Sequence, residues 1–280
     1  MKIKIMSDST CDLSKDLLDA NNITLFPLTV VKNDAAFKDG VDIHPADIFA
    51  HVAAGGALCS TSAGSVGEYA DLFEKYASDY DAVIHINLGS GFSSSYQNAC
   101  VAASDFDNVY CIDSKNLSTG QGFVVLKACE LARSGMEAEK IAEALNAMVP
   151  KVEASFLVDK LDYLVKGGRC SSAAALGANL LNLKPCIEVR DGKMTVVKKY
   201  RGNYAKCLAN YVKDRLADRE DIDRKLLFVT CTTVSPECRE SVMDAVEAWG
   251  NFETVCETTA GCTISCHCGP GTLGVLFVKK

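Results

Sequence analysis

Short apolar runs and longer stretches of helical periodicity take turns through the first half of the chain. The runs at 2–6, 23–31, 82–88 and 109–112 predict strands, being short and rich in β-branched residues. Between them, 13–20, 45–54, 66–76, 92 onward, 120–134 and 138–148 read as helices, with Pro45 placed to open one and Gly135 to stop another. Ser65 followed by Glu68 makes a capping box, which starts its helix at Val66. The segments 33–40 and 55–65 read as polar turn and hydroxyl-rich loop. Strands and helices in alternation predict a parallel sheet covered by helices on both faces, with right-handed crossovers.

The pattern changes near Val152. A strand at 155–158 and a segment at 161–165 lead into Lys166-Gly-Gly-Arg169, followed by an Ala/Leu-rich helix at 172–181. Asp191-Gly192 between apolar runs at 187–190 and 194–199 is a hairpin signal, so this half carries antiparallel pairs. Helices at 204–216 and 236–249 alternate with strands at 226–230, 252–257 and 273–278. The expected fold class is α/β: a parallel-sheet N-terminal domain over 1–153 with helices on both faces, plus a second α+β domain over 154–280.

Composition narrows the function. Of 280 residues 48% are hydrophobic, enough for a sizeable core, and the net charge of −7 leaves no basic face for a nucleic acid. No apolar segment is long enough to span a bilayer, and the opening Met1-Lys-Ile-Lys-Ile-Met runs straight into a strand, so neither membrane insertion nor a signal peptide is expected and the location is expected to be cytoplasmic. The 14 cysteines scatter through predicted strands and helices and are expected to be reduced core residues. Cys262, Cys266, His267 and Cys268 crowd together, but their spacing matches no two-knuckle zinc pattern, and no metal is expected.

The candidate chemistry lies at 82–103. A buried strand is broken by Gly89-Ser-Gly91 and followed by a helix, which places hydroxyls and unpaired N–H groups at the mouth between strand end and helix start. Thr61 and Ser62 stand just ahead of a second helix. Three uses of such an anion site compete. Gly89-x-Gly91 with Asp113 after the next strand imitates a dinucleotide fingerprint, but Ser94 replaces its third glycine. Ser93, His267 and Asp113 suit an acyl hydrolase in order, but no G-x-S-x-G elbow occurs. The third use is capture of a carboxylate with no bond made or broken. Taken singly, Thr61, Ser62 and Ser93 to Ser95 also read as helix caps, His85 as a structural histidine, His267 as a loop residue, and Arg169 and Arg201 as surface charges.

Several motifs in order settle which family the chain resembles: Ser7-Asp-Ser-Thr, Ser60-Thr-Ser with Ser65, Val83-Ile-His-Ile-x-Leu-x-Ser-Gly-x-Ser93-x-x-Tyr-Gln97, Leu161-x-Tyr-Leu-x-x-Gly-Gly-Arg169, Leu183-Lys-Pro185, Arg201-Gly202 and His267-x-Gly-Pro-Gly271. From Lys4 to Lys279 the sequence resembles the DegV family of bacterial fatty-acid-binding proteins. The resemblance implies two α/β-type domains with an apolar tunnel between them. It implies a non-enzymatic carrier with no cofactor, whose Thr61 and Ser93 hold a long-chain fatty-acid carboxylate with Ser62, Ser94 and His267 close by. It also implies delivery to a fatty-acid kinase for lipid metabolism, with Arg201 as a docking residue. The chain departs from the family pattern at Ala63-Gly64, where a proline is common, and at Ser94, where a glycine is common. Burying a tail of about sixteen carbons is worth on the order of 10 kcal/mol before ordering costs, against ~1.5–3 kcal/mol for each head-group hydrogen bond, so the tail is expected to supply affinity and the head orientation.

Overall fold

The computed structural model describes residues 1–175 and 183–280. β1 (Ile3–Asp8) runs into one 3-10 turn and α1 (Lys15–Ala20), whose cap is Ser14, accepting the Leu17 N–H at 3.4 Å. Then come β2 (Thr24–Phe26), β3 (Thr29–Lys32), β4 (Ala35–Lys38), α2 (Pro45–Ala53), β5 (Ser60–Ser62), α3 (Val66–Ala77), β6 (Ala82–Asn87), α4 (Ser95–Ala103), β7 (Val109–Asp113), α5 (Ser118–Arg133) and α6 (Ala138–Met148). The second half contributes β8 (Val152–Leu157), α7 (Asp162–Gly167), α8 (Ser171–Ala174), β9 (Leu183–Arg190), β10 (Lys193–Arg201), α9 (Tyr204–Leu216), β11 (Ile222–Cys231), α10 (Pro236–Trp249), β12 (Thr254–Thr259), α11 (Cys262–Cys268) and β13 (Leu273–Lys279). The helix expected over 172–181 falls largely on 176–182, outside the described residues.

A parallel four-stranded sheet has the order β2-β1-β6-β7. A six-stranded sheet has the order β10-β9-β8-β13-β11-β12, antiparallel except for β11 beside β12. A small antiparallel sheet, β4-β3-β5, completes the mixed α/β fold.

Several boundaries differ from expectation for identifiable reasons. The run at 23–31 is two strands in two different sheets, because Pro27 between them lacks the N–H that a continuous ladder needs. The segment 33–40 holds β4, joined to β3 through Asn33 and Asp34, both at positive φ as a tight hairpin turn requires. The 55–65 loop contains β5, so Thr61 sits on a strand paired with Val30. The helix expected from Phe92 begins at Ser95. His267, which taken singly reads as a loop residue, lies near the end of α11, and the cysteine-rich stretch to which the sequence assigns no element is that helix.

Helix α5 is the organising layer. Gly120 to Val125 are all buried, and the helix touches β1 and β6 of the parallel sheet as well as β8, β11 and β13 of the six-stranded sheet. One core therefore joins Ile84 and Ile86 to Phe123 and on to Phe228 and Leu276. Strand alternation sends Leu227, Val229, Val275 and Phe277 to the opposite face, where α9 and α10 cover them with Leu208, Tyr211 and Val242. A third cluster packs Cys262 and Cys266 of α11 against Val30, Ile43 and Ile48.

Candidate functional site

The Ser7-Asp-Ser-Thr stretch builds the scaffold. Asp8, fully buried at the end of β1, accepts from Tyr69 Oη at 2.8 Å, from the Leu88 N–H at 2.8 Å and from Asn87 Nδ2, and its Oδ1 lies 3.0 Å from His85 Nε2. Gln121 of α5 donates to Ser7 Oγ and accepts from Thr10 Oγ1, both at 2.8 Å. Ser9 Oγ donates to Asp39 and accepts from the Leu28 N–H. These bonds join β1, β6, α3 and α5 beneath the loops that follow β5 and β6.

Those loops converge on one cavity of about 420 Å³. Thr61 and Ser62 reach it from β5, Ser93 and Ser94 from the loop ahead of α4, and Thr263 and His267 from α11. Asn98 of α4 donates to the Gly64 carbonyl at 2.8 Å and locks the two hydroxyl-bearing loops together. Thr61 Oγ1 lies 2.7 Å from His267 Nε2. Ser93 Oγ lies 2.9 Å from Ser95 Oγ and accepts the Ser95 N–H at 3.2 Å. Ser62 and Ser94 are exposed at the rim.

The site also contains Arg169, which on sequence alone reads as a surface charge. Its guanidinium donates to the Gly167 carbonyl at 2.7 Å and to the Phe92 carbonyl at 3.3 Å, which aims a fixed cation along the cavity wall. Burial, helped by this arginine, depresses the His267 pKa to about 4, so the imidazole is neutral at ordinary pH. Its Nδ1 has no partner among the described residues and faces Gly167, where a Cβ would lie 2.4 Å away. Gly167→Ala is therefore expected to push the imidazole off Thr61 while leaving the fold intact, read as a loss of ligand affinity at near-constant melting temperature.

A second, narrower space adjoins the cavity. Leu117, Ile264 and Cys268 line both the cavity and this narrow slot of about 30 Å³ between the start of α5 and the six-stranded sheet, walled by Ala154, Phe156, Gly274 and Leu276. Hydroxyls along this slot are all engaged: Thr230 with Thr119 and Thr258, Ser118 with Asp12, Ser155 with Tyr211, Thr232 with the Gly269 carbonyl, and Thr272 with the Cys268 carbonyl. The slot thus presents apolar surface to anything inside it.

Helix α11 is fastened by two buried acids. Asp39 accepts the Cys262 and Thr263 N–H groups and the Thr263 hydroxyl, and Asp12 accepts the Gly261 N–H at 2.9 Å and the Ser118 hydroxyl. Burial pushes the Asp12 carboxyl up to about 8, its two donors opposing the shift and Asp39 adding to it. A carboxyl whose folded-state pKa exceeds its unfolded value stabilises most below the unfolded value and loses that contribution as pH rises through about 8. The melting temperature is thus expected to decline between about pH 5 and pH 9, and Asp12→Asn, which suits the left-handed φ of 49° there, to flatten that decline.

The model of the DegV family, described as uncharacterised proteins, matches residues 2–280. A DegV domain-containing protein of Clostridium acetobutylicum is 33% identical over 100% of this chain and 99% of its own. The chain belongs to the DegV family. Solved DegV structures agree over the whole chain: one from Thermus thermophilus, described as a fatty-acid-binding DegV family protein, has a TM-score of 0.90 at 27% identity with 100% of both chains covered. DegV of Bacillus subtilis, described as a fatty acid binding protein, has a TM-score of 0.80 at 28% identity, again over 100% of both chains. A stearic acid-binding protein from Eubacterium ventriosum has a TM-score of 0.83 at 26% identity, covering 99% of this chain and 98% of that one.

Where this DegV-family chain departs from the family pattern, packing explains one case: Gly64 lies against Phe26 and Tyr69, and a Cβ there would sit 2.4 Å from the Phe26 ring. Among the described residues no hydrogen bond links Ser93, His267 and Asp113 to one another. Asp113 is taken up by Ser90 Oγ at 2.6 Å and by the Ser90 and Lys115 N–H groups, while His267 pairs with Thr61 and Ser93 with Ser95. His85 is the buried structural histidine expected. Cys262 and Cys266 face the small core and Cys268 the large one, with burial raising all three thiols. Among the described residues no group of three His, Cys, Asp or Glu side chains is placed to hold a metal. Arg201, exposed at the end of β10, lies outside the cavity lining.

Proposed function

We propose that the chain is a carrier of a long-chain fatty acid, without catalysis of its own or a cofactor. One observation carries this reading: hydroxyls from two separate crossovers, Thr61 and Ser93, line one cavity whose inner wall, Leu117, Ile264 and Cys268, also borders an apolar slot. Thr61, Ser62, Ser93, Ser94 and His267 form the head-group site, with the Arg169 guanidinium compensating the carboxylate's charge. With Nε2–H of a neutral His267 donating to Thr61 Oγ1, the Thr61 proton is free to point at the carboxylate. The tail lies in the slot between the halves 1–153 and 154–280. Because the slot is narrow, seating the tail means parting α5 from the six-stranded sheet, and net affinity is what is left after that cost.

Holding the carboxylate at the mouth fits handing the acid to a cytoplasmic fatty-acid kinase, with Arg201 as the docking residue. Arg201→Ala is the matching variant: acid uptake is expected unchanged and turnover by the kinase reduced. The primary test is mass spectrometry of an organic extract of the purified protein, followed by reloading of the stripped protein. A fatty acid at about one per chain supports the reading. An extract without fatty acid, together with no uptake of added palmitate or oleate, sinks it.

A further inference from the structure

Along the inner face of β11, alternation places Thr230, Phe228 and Leu226 in succession, and along β13 Gly274, Leu276 and Val278. Thr230, Gly274 and Leu276 line the apolar slot, whereas Leu226 and Val278 line a different cavity, of about 780 Å³, at the far end of the layer. Helix α5 divides in the same way: Leu117 and Ser118 border the slot, Phe123 and Leu126 the far cavity. Between the two spaces stand Phe228, fully buried, and Phe123, 6% exposed, meeting edge to face with ring centroids 4.9 Å apart. The four residue steps from Thr230 to Leu226 span roughly 13 Å of strand, so a single aromatic layer separates slot from far cavity.

We propose that the Phe123–Phe228 pair is the end-stop of the acyl slot and sets the longest chain the protein accepts, a proposal that rests on the carrier reading above. Ahead of the pair the slot is bordered by Leu117, Ala154, Ile264, Leu276 and Gly274, with Phe156 and hydrogen-bonded hydroxyls among them, and it widens when a methylene chain parts α5 from the sheet. The aromatic pair bridges helix and sheet directly and does not yield in the same way, because its rings fill the layer from both sides. Behind it lies the far cavity, apolar at Leu126, Leu226 and Val278 and rimmed by charged side chains such as Lys127, Glu130 and Lys225. A conservative loss of ring volume at either position joins slot to far cavity without emptying the core.

The test uses the full chain, stripped of lipid and exposed to an equimolar series of even-numbered saturated acids from lauric to lignoceric, with the bound acids identified by mass spectrometry. Wild type is expected to show a sharp upper cut-off. Phe228→Leu and Phe123→Leu, each first shown to be folded by its melting transition, are expected to move that cut-off to chains longer by roughly four carbons, the length that one opened layer of two strand residues at about 3.3 Å each accommodates. Ala154→Val, which fills the slot ahead of the pair, is expected to shift occupancy toward shorter chains. A loaded wild type with the same cut-off in both phenylalanine variants overturns the end-stop alone. A wild type that takes up no acid of any length overturns the carrier reading, and the end-stop with it.

Discussion

Replacing both Thr61 and Ser93 by alanine is expected to weaken fatty-acid binding about a thousandfold while the chain stays folded. Each hydroxyl donating to a carboxylate contributes ~1.5–3 kcal/mol, so losing both removes on the order of 4 kcal/mol, which is a thousandfold in affinity. The loss compounds at Thr61, because its removal strands His267 Nε2, whose partner it is at 2.7 Å, in a ring whose Nδ1 already lacks a partner among the described residues. Thr61→Val keeps the shape and removes only the hydroxyl, so its effect isolates the hydrogen bond from packing. Titration of the stripped protein with a fluorescent fatty acid reads the change. An affinity for the double variant within a factor of a few of wild type contradicts the assignment of these hydroxyls to the head group.

The second large effect is on stability, at a residue that touches no ligand. Asp8→Ala is expected to destabilise the fold by about 3–5 kcal/mol, because it strands several buried donors at once. Tyr69, Asn87, the Leu88 N–H and His85 all converge on this one carboxylate, and none has water to turn to. The melting temperature should fall by on the order of 10 °C, and binding should be lost in parallel because the loop after β6 is no longer held. A calorimetric scan in which Asp8→Ala melts with wild type would show that the donors find other partners.

Local chemistry was readable in the sequence wherever neighbours along the chain supply the answer. Ser65 and Glu68 form their capping box as their spacing demands, and Asp191-Gly192 turns the hairpin between β9 and β10. The two hydroxyl-bearing loops also share a cavity, as strand–turn–helix geometry implies. The errors fell where distant partners decide. Nothing near Pro27 states that its two flanking strands join different sheets. A cysteine-rich stretch has weak helical preference, and α11 forms because Asp12 and Asp39, far upstream, cap its first turn. Arg169 resembles any surface cation until Gly167 and Phe92 are seen to accept from it. Its only sequence signal was the Gly-Gly-Arg run, where Gly167 leaves room for an imidazole.

The anchoring of α11 has a consequence for biosynthesis. Asp12 and Gly261 are 249 residues apart, and their hydrogen bond helps to seat the helix that brings His267 to Thr61. A ribosome extending the nascent polypeptide by some 5–20 residues each second leaves the N-terminal acids without their helix for tens of seconds. During that interval the parallel sheet can assemble, but the crevice lacks one wall. On the carrier reading proposed above, lipid capture is therefore expected to be a post-translational event, the emerging polypeptide being unable to trap free fatty acid in a half-built state.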